Sequence, residues 1–312
     1  MQMNSAARLS AQEFESELTR NILPFWANNT LDRENGGFYG ALSSSNEINN
    51  KIERSAVLCG RILWTFSQAA LKYQQEAHLD VAKWAHQYLA SRFWDDTFEG
   101  IYWSLDREGK PVMDRKHTYA QAFAIYGLTA YTQASQDNAA LELAKRLFHL
   151  IDTHTYDPVY GGNIECLSRE WTMLEDMRLS DKDLNSSKSM NTLLHLTEAY
   201  AALAVLWKDP LLLQRLEELV DLFFERIIDS KTGHQLLFFD NKWTTLSNHI
   251  SYGHDIETSW LLLEAAQALG DPQRIQKAQS LAVKMAQAVY DEALSEDGSI
   301  LYEASPDGYK EL

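Results

Sequence analysis

The residues best placed to do chemistry lie in the run Ser251-Tyr252-Gly253-His254-Asp255-Ile256-Glu257. Gly253 permits unusual backbone angles at a loop-to-helix junction, so His254 is expected to open a helix directly after a loop. Glu257 follows three residues later, which places both side chains on one helix face. A carboxylate that orients an imidazole raises its basicity, so the pair is a candidate acid/base group. The alternative is that His254 caps the helix and Glu257 is solvated.

A second polar pair lies in the run Met190-Asn191-Thr192-Leu193-Leu194-His195. Asn191 and His195 are four residues apart and share one face of a mainly apolar helix, where both could hydrogen-bond a hydroxylated ligand. On spacing alone, the stronger alternative is a core histidine with satisfied hydrogen bonds.

Arg61 is the lone charge in the apolar stretch Cys59-Gly60-Arg61-Ile62-Leu63-Trp64. A buried guanidinium without a partner is costly, so Arg61 is expected to pair with an acid such as Glu257 or to donate to a sugar oxygen in a cavity. The sequence contains no phosphate-binding glycine loop, no GxSxG elbow and no HExxH motif, and we expect no catalytic metal.

Composition limits the partners. The 312 residues include 28 basic and 44 acidic side chains, a net charge of −16, which disfavours nucleic acid and anionic substrates and favours a neutral one. Aromatic residues, 11% of the chain, suit stacking on sugar rings.

No apolar run reaches the roughly 18 residues of a membrane span. No signal peptide is visible, and two cysteines are too few for a disulfide framework, so we expect a cytoplasmic protein without a membrane partner.

Internal repeats indicate which elements position these residues. Glycine- and aromatic-rich segments at 34–42, 98–110, 160–171, 232–243 and 297–309 predict hairpins, and their glycines are 64, 61, 72 and 65 residues apart. Between them, helices are predicted at 10–27, 54–73, 77–92, 117–134, 138–154, 187–207, 211–229, 254–269 and 272–290. The unit is hairpin, helix, helix. We interpret residues 1–312 as a single domain whose loops gather over the mouth of a central cavity.

Several motifs together resemble the cellobiose 2-epimerases of the N-acylglucosamine 2-epimerase superfamily: 35–40 (NGGFYG), 60–64 (GRILW), 116–126 (KHTYAQAFAIY), 188–191 (KSMN) and 251–257 (SYGHDIE). The resemblance implies an (α/α)6 barrel that epimerises the reducing-end glucose of cellobiose at C2 through a cis-enediolate, with no metal or organic cofactor. It implies a catalytic role for His254 with its neighbour Glu257. It also implies substrate or enediolate contacts for His195, Asn191, Arg61 and Tyr119, and a place in the site for Trp243.

The family's second catalytic histidine and a WWxxAE-like motif lie in a C-terminal segment that has no counterpart in this sequence. Nine helices also fall about one unit, roughly 65–90 residues, short of a twelve-helix ring. We therefore expect an incomplete barrel and weak or absent epimerisation by this chain alone. Two other functions remain open: an aldose–ketose isomerase of the same superfamily, and a glycan-binding or glycoside-hydrolysing α/α toroid.

Overall fold

All nine predicted helices are present in the computed structural model, which describes residues 10–180, 183–305 and 310–311, and their bounds lie within three residues of the predicted ones. The helices are α1 (Ala11–Glu17), α2 (Leu23–Asn29), α3 (Ala56–Tyr73), α4 (Glu76–Tyr88), α5 (Thr118–Ser135), α6 (Asn138–His154), α7 (Met190–Leu206), α8 (Pro210–Leu222), α9 (Tyr252–Leu269) and α10 (Pro272–Glu292). A π-helical segment, Leu18–Ile22, joins α1 to α2, so these two form the first predicted helix. Similar segments, Leu89–Phe93 and Phe223–Ile227, extend α4 and α8.

The helices form two layers. In the inner layer α3 packs on α5, α5 on α7 and α7 on α9, and the outer helices α4, α6, α8 and α10 each cover the inner helix before them. Helices α5 and α7 are buried on most sides because they have neighbours on each flank, which explains their apolar composition all round. One apolar cluster extends from Leu23 to Met285 and fills the space between the layers. This is the layered arrangement expected of an α/α toroid.

Small residues set the distance between α3 and α5. A methyl group on Gly60 would lie 2.7 Å from the carbonyl oxygen of Phe123, and one on Gly127 would lie 2.7 Å from the carbonyl oxygen of Gly60. The two backbones are therefore in direct contact.

Short strands connect neighbouring units. The strands that precede the inner helices are β1 (Arg54–Ser55), β4 (Lys116–His117), β6 (Lys188–Ser189) and β8 (Ile250–Ser251). Each pairs antiparallel with a strand of the following unit: β2 (Ser104–Leu105), β5 (Cys166–Leu167), β7 (Phe238–Phe239) and β9 (Glu303–Ala304). Strands β3 (Pro111–Met113) and β10 (Lys310–Glu311) extend the first and last of these sheets.

The predicted hairpins are thus partly right. Their glycine turns form, and the five landmark glycines all adopt positive φ: Gly36, Gly100, Gly161, Gly233 and Gly298. However, among the described residues the two-residue strands before the inner helices do not pair within their own unit. Each pairs with the next unit, because the strand before an inner helix offers a free edge to the next turn. Residues 306–309 of the fifth predicted hairpin lie outside the described residues.

Buried ion pairs hold three of these turns in place, and the sequence analysis did not anticipate them. The Arg54 guanidinium lies 2.5 Å from Asp32, the Lys116 ammonium 3.0 Å from Asp95, and the Lys188 ammonium 2.8 Å from Asp157. Each basic residue is the first residue of a strand before an inner helix, so each pair ties a turn to that helix.

Candidate active site

The inner helices present their side chains at equivalent positions. The second, sixth and ninth residues of an inner helix are spaced i, i+4, i+7 and therefore share one face, which we call the inner stripe. Its second positions are Val57, Tyr119, Asn191 and Gly253; its sixth are Arg61, Phe123, His195 and Glu257; its ninth are Trp64, Tyr126, Glu198 and Trp260. Five of the seven predicted site residues lie on this stripe: Arg61, Tyr119, Asn191, His195 and Glu257.

Contacts across the stripe bring several of these residues together. The ring of His195 lies 5.2 Å from that of Tyr119 and 4.7 Å from that of Phe123, centroid to centroid. The guanidinium carbon of Arg61 lies 4.5 Å from the centre of the Phe123 ring. The side chains of α3, α5 and α7 therefore meet on one surface.

The pKa of the Tyr119 hydroxyl reflects the charges around this surface. Burial raises the pKa of its hydroxyl, the nearby carboxylates of Glu257 and Glu165 add to the rise, and the adjacent Arg61 guanidinium opposes it. Tyr119 therefore stays protonated at neutral pH and can donate a hydrogen bond. Among the described residues no ion pair joins Arg61 to Glu257, and the Arg61 side chain is exposed, so the predicted pairing with this acid is not formed.

His254 is oriented by a different residue from the one predicted. Its Nδ1 lies 2.8 Å from the hydroxyl oxygen of Ser251, whereas Glu257 acts on it only through its charge. Side chains in a helix lean towards its N-terminus, so an imidazole in the first turn of α9 reaches back to the N-cap hydroxyl. Burial lowers the pKa of His254, His195 adds to the lowering, and Glu257 opposes it. The imidazole is consequently neutral at neutral pH.

The paired imidazole and carboxylate occur instead on α7. The Nδ1–H of His195 donates to Oε2 of Glu198 at 2.9 Å, and the side chain of His195 is 4% exposed. Glu198 also lies beside the Tyr126 hydroxyl, whose pKa is raised by burial first and by Glu198 second. The i+3 spacing that drew attention to Glu257 applies equally to Glu198, so the sequence held this signal.

A cavity of about 670 Å³ opens beside Asn191 and His254. Its wall includes Asn191, Ser189, Ser251, His254 and Glu165, and a neighbouring opening of about 500 Å³ is lined by His254, Glu257, Trp260 and Tyr302. The buried Oδ1 of Asn191 has no hydrogen-bond partner within the described part of the chain. A buried amide oxygen without a partner is costly, so this atom is available for a ligand donor.

Glu165 is a cavity residue that the sequence analysis missed. It is 3% exposed, and it accepts hydrogen bonds from the hydroxyls of Ser189 at 2.7 Å and Thr192 at 2.5 Å. Burial raises the pKa of its carboxyl to about 7, while the two hydroxyls oppose the rise. No spacing motif marks Glu165, since its partners lie more than 20 residues away along the chain.

Trp243 packs on a turn of the preceding unit. Its indole Nε1–H donates to the carbonyl oxygen of Tyr160 at 2.7 Å, and its ring covers Gly162, where a methyl group would lie 2.8 Å from it. Trp171 makes the same contacts one unit earlier, with the Phe98 carbonyl and Gly100. The repeat therefore uses both tryptophans to pack one turn on the next, and a place for Trp243 in the site stays a prediction.

Comparison with known proteins shows the family of the chain. The sequence profile of the N-acylglucosamine 2-epimerase (GlcNAc 2-epimerase) family matches residues 37–309. The chain belongs to the N-acylglucosamine 2-epimerase family. Within it, the chain is 45% identical over 292 residues to a cellobiose 2-epimerase of Bacteroides fragilis, covering 94% of this chain and 74% of that protein. It is 38% identical to a cellobiose 2-epimerase of Ruminococcus albus, covering 92% and 73%.

Solved structures of the N-acylglucosamine 2-epimerase family share the fold. The cellobiose 2-epimerase from Bacillus thermoamylovorans superposes with a TM-score of 0.91 at 36% identity, covering 96% of this chain and 76% of that one. A D-mannose isomerase at 22% identity, with a TM-score of 0.79, shows likeness of fold alone. The predicted resemblance and fold class are confirmed. Across the residues that the structure describes, no helix is long and apolar enough to cross a membrane.

Proposed function

We propose that this chain catalyses the reversible C2 epimerisation of the reducing-end glucose of cellobiose and related β-1,4-linked disaccharides. The observation that carries the proposal is His254, a neutral imidazole that shares the wall of a cavity with Asn191, an amide whose oxygen lacks a partner among the described residues. The similarity to two cellobiose 2-epimerases at 45% and 38% identity supports the choice of sugar.

The proposed reaction begins with the open-chain sugar. A base removes the C2 proton to give a cis-enediolate, and the proton returns to the opposite face. His254 suits this proton transfer because burial keeps it neutral. The Ser251 hydroxyl can either accept from or donate to Nδ1, so the free Nε2 can be a base in the forward reaction and an acid in the reverse reaction.

The enediolate carries negative charge on oxygens attached to C1 and C2. The Tyr119 hydroxyl and the exposed Arg61 guanidinium lie close together and supply donors for that charge. Donors aimed at charge that develops in the transition state lower the barrier more than uniform sugar binding does. Glu257 is placed to stabilise the imidazolium that forms when His254 takes up the C2 proton.

His195 is the second imidazole of the proposed site. Because its Nδ1–H is committed to Glu198, its Nε2 is left as an acceptor for a sugar hydroxyl. Proton return by His254 alone would exchange the C2 proton and restore glucose. Inversion needs a proton donor on the other face of the enediolate; His254 and Glu257 equip one face only, so we expect this chain to invert C2 more slowly than it exchanges the proton.

Incubation with cellobiose in D2O, followed by NMR and by analysis of the reducing-end sugar, tests the proposal. Deuterium at C2 together with reducing-end mannose supports epimerisation, and His254→Asn should abolish both. Deuterium without mannose would indicate proton transfer on one face only. A ketose product would identify an aldose–ketose isomerase, and released monosaccharides would identify a hydrolase; either result would overturn the proposal.

We further propose a cytoplasmic location and a neutral disaccharide as the natural partner. The negative net charge supports the second, and the thiols of Cys59 and Cys166, which are free and buried, are compatible with a reducing compartment.

A further inference from the structure

Glu165 occupies a position that recurs in three successive units. The carbonyl oxygen at this position accepts a hydrogen bond from the first amide of an inner helix: Trp103 from Ala56 at 3.1 Å, Glu165 from Thr118 at 3.0 Å and Leu237 from Met190 at 2.8 Å. The three residues are therefore structurally equivalent, and we call theirs the helix-start position.

The fold does not require a charge at the helix-start position. Trp103 packs its ring 4.3 Å from that of His117, and Leu237 is 7% exposed in the cavity wall. Apolar side chains therefore fill this place in the units before and after. A carboxylate there is costly to bury, so the presence of Glu165 calls for a reason beyond packing.

The contacts of Glu165 point to α7. One carboxylate oxygen accepts from the hydroxyl of Ser189, the N-cap of α7, and the other from the hydroxyl of Thr192. Ser189 in turn accepts from the Thr192 amide at 3.1 Å. Asn191 lies between these two anchored residues and shares the cavity wall with Glu165.

We propose that Glu165 is a positioning residue for sugar recognition: as a carboxylate it clamps the first turn of α7 so that Asn191 meets the substrate. The inference rests on the proposed function for the identity of the sugar, but not for the geometry of the clamp. A carboxylate accepts from both hydroxyls at once, whereas a protonated carboxyl has to donate one hydrogen, which forces one hydroxyl to turn away.

The clamp therefore depends on pH near neutrality. The pKa of Glu165, about 7, means that the clamped form is populated above that pH and lost below it. Three charged or titratable groups face Glu165: Asp183 from the loop before α7, Tyr119 from α5, and Cys166, which follows Glu165 in the chain. His254 shares the cavity, so its own ionisation has to be separated from that of Glu165.

Two variants of Glu165 test the inference. Glu165→Leu copies the residue at the next helix-start position, and Glu165→Gln keeps the shape while removing the charge. We expect both to keep a melting temperature within several degrees of wild type. We expect kcat/KM on cellobiose to fall by about a hundredfold in Glu165→Leu, since a side chain misplaced by about 1 Å costs that much.

The pH profile separates a clamp from simple packing. In Glu165→Gln the dependence of kcat/KM on pH around 7 should flatten. The control Glu99→Gln, an exposed carboxylate paired with Arg146 on another turn, should retain it. Thr192→Val removes one partner of Glu165, and its effect should not add to that of Glu165→Gln in the double variant. The clamp is overturned if both Glu165 variants keep the wild-type kcat/KM and pH profile. It is also overturned if the effects of the two substitutions add in the double variant.

Failure of the proposed function is a separate result. The same variants are titrated calorimetrically with cellobiose, mannose and N-acetylglucosamine. A wild-type chain that binds one of the other two sugars and does not bind cellobiose overturns the choice of cellobiose. The clamp then stands if the Glu165 variants bind that sugar more weakly, and falls if they bind it as wild type does. A wild-type chain that binds none of the three overturns both proposals.

Discussion

The Ser251 hydroxyl lies 2.8 Å from Nδ1 of His254, and it accepts no amide hydrogen bond from α9 in the described part of the chain. At the equivalent N-cap positions, Ser55 and Ser189 accept from the amides of Leu58 and Thr192. The hydroxyl of the fourth inner helix is therefore diverted from capping the helix to orienting an imidazole.

Ser251→Ala should consequently separate activity from stability. The variant removes the hydrogen bond to His254 without removing a helix cap, so we expect kcat/KM on cellobiose to fall by about ten- to a hundredfold while thermal unfolding hardly changes. Ser55→Ala is the matched control. It removes a working cap from α3, so it should cost about 1 kcal/mol of stability and leave activity unchanged. The reverse pattern would show that the contact between Ser251 and His254 has no part in the chemistry.

The pair formed by His195 and Glu198 predicts a graded series. Glu198→Gln keeps an oxygen that accepts from the Nδ1–H of His195, so it should retain part of the activity. Glu198→Leu leaves that N–H buried without a partner and should lower kcat/KM by a further factor of about ten or more. Nitrogen NMR of the imidazole should show a proton on Nδ1 in wild type and in Glu198→Gln. Equal activity in the two variants would contradict an orienting role.

His117 predicts a loss of stability in acid. Both ring nitrogens are buried without a partner among the described residues, and burial lowers the pKa to about 3. The unfolded chain binds this proton near the ordinary value of 6.5, so stability is full above that pH and declines as the pH falls towards 3. At about pH 5 the cost is roughly 2 kcal/mol.

His117→Phe should therefore reduce the acid sensitivity of the fold. Urea unfolding at neutral pH and at about pH 5 gives the difference for wild type and variant, and the difference should be smaller in the variant. An equal loss of stability in both proteins would show that His117 does not carry the effect.

Two glycines on inner helices should respond in opposite directions to alanine. Gly60→Ala places a methyl group 2.7 Å from the Phe123 carbonyl and should destabilise the fold by about 1–3 kcal/mol as α3 and α5 are forced apart. At Gly253 a methyl group meets nothing within 4 Å among the described residues, so Gly253→Ala should raise stability by about 0.5–1 kcal/mol through helix propensity. Thermal unfolding of both variants checks the contrast.

The sequence predicted what depends on local pattern. Periodicity located each helix in the described part of the chain, and the landmark glycines located the turns, because both signals lie within a few residues. The partner of His254 could not be predicted in this way. Glu257 and Glu198 each follow a histidine by three residues. Glu198 accepts from its histidine, His195, whereas Ser251 takes the place of Glu257 at His254. Only the structure of the first turn of α9 shows this difference.

Contacts between units could not be predicted from residue spacing. The salt bridge from Lys188 to Asp157 spans 31 residues, and the clamp from Glu165 to Thr192 spans 27. Trp243 illustrates the same limit, since its aromatic character suits a sugar site and a packing site equally. Its packing role follows from the turn that it covers, which belongs to the preceding unit.

The pairing of each pre-helix strand with the following unit has a consequence for how this protein can diverge. Because the start of every inner helix is fixed by backbone hydrogen bonds to its neighbour, the inner stripe holds its register whatever side chains occupy it. Arginine, phenylalanine, histidine and glutamate occupy one and the same position on four successive inner helices. A substitution at this position can thus change one side chain of the stripe at a time, while the scaffold that aligns the helices stays constant.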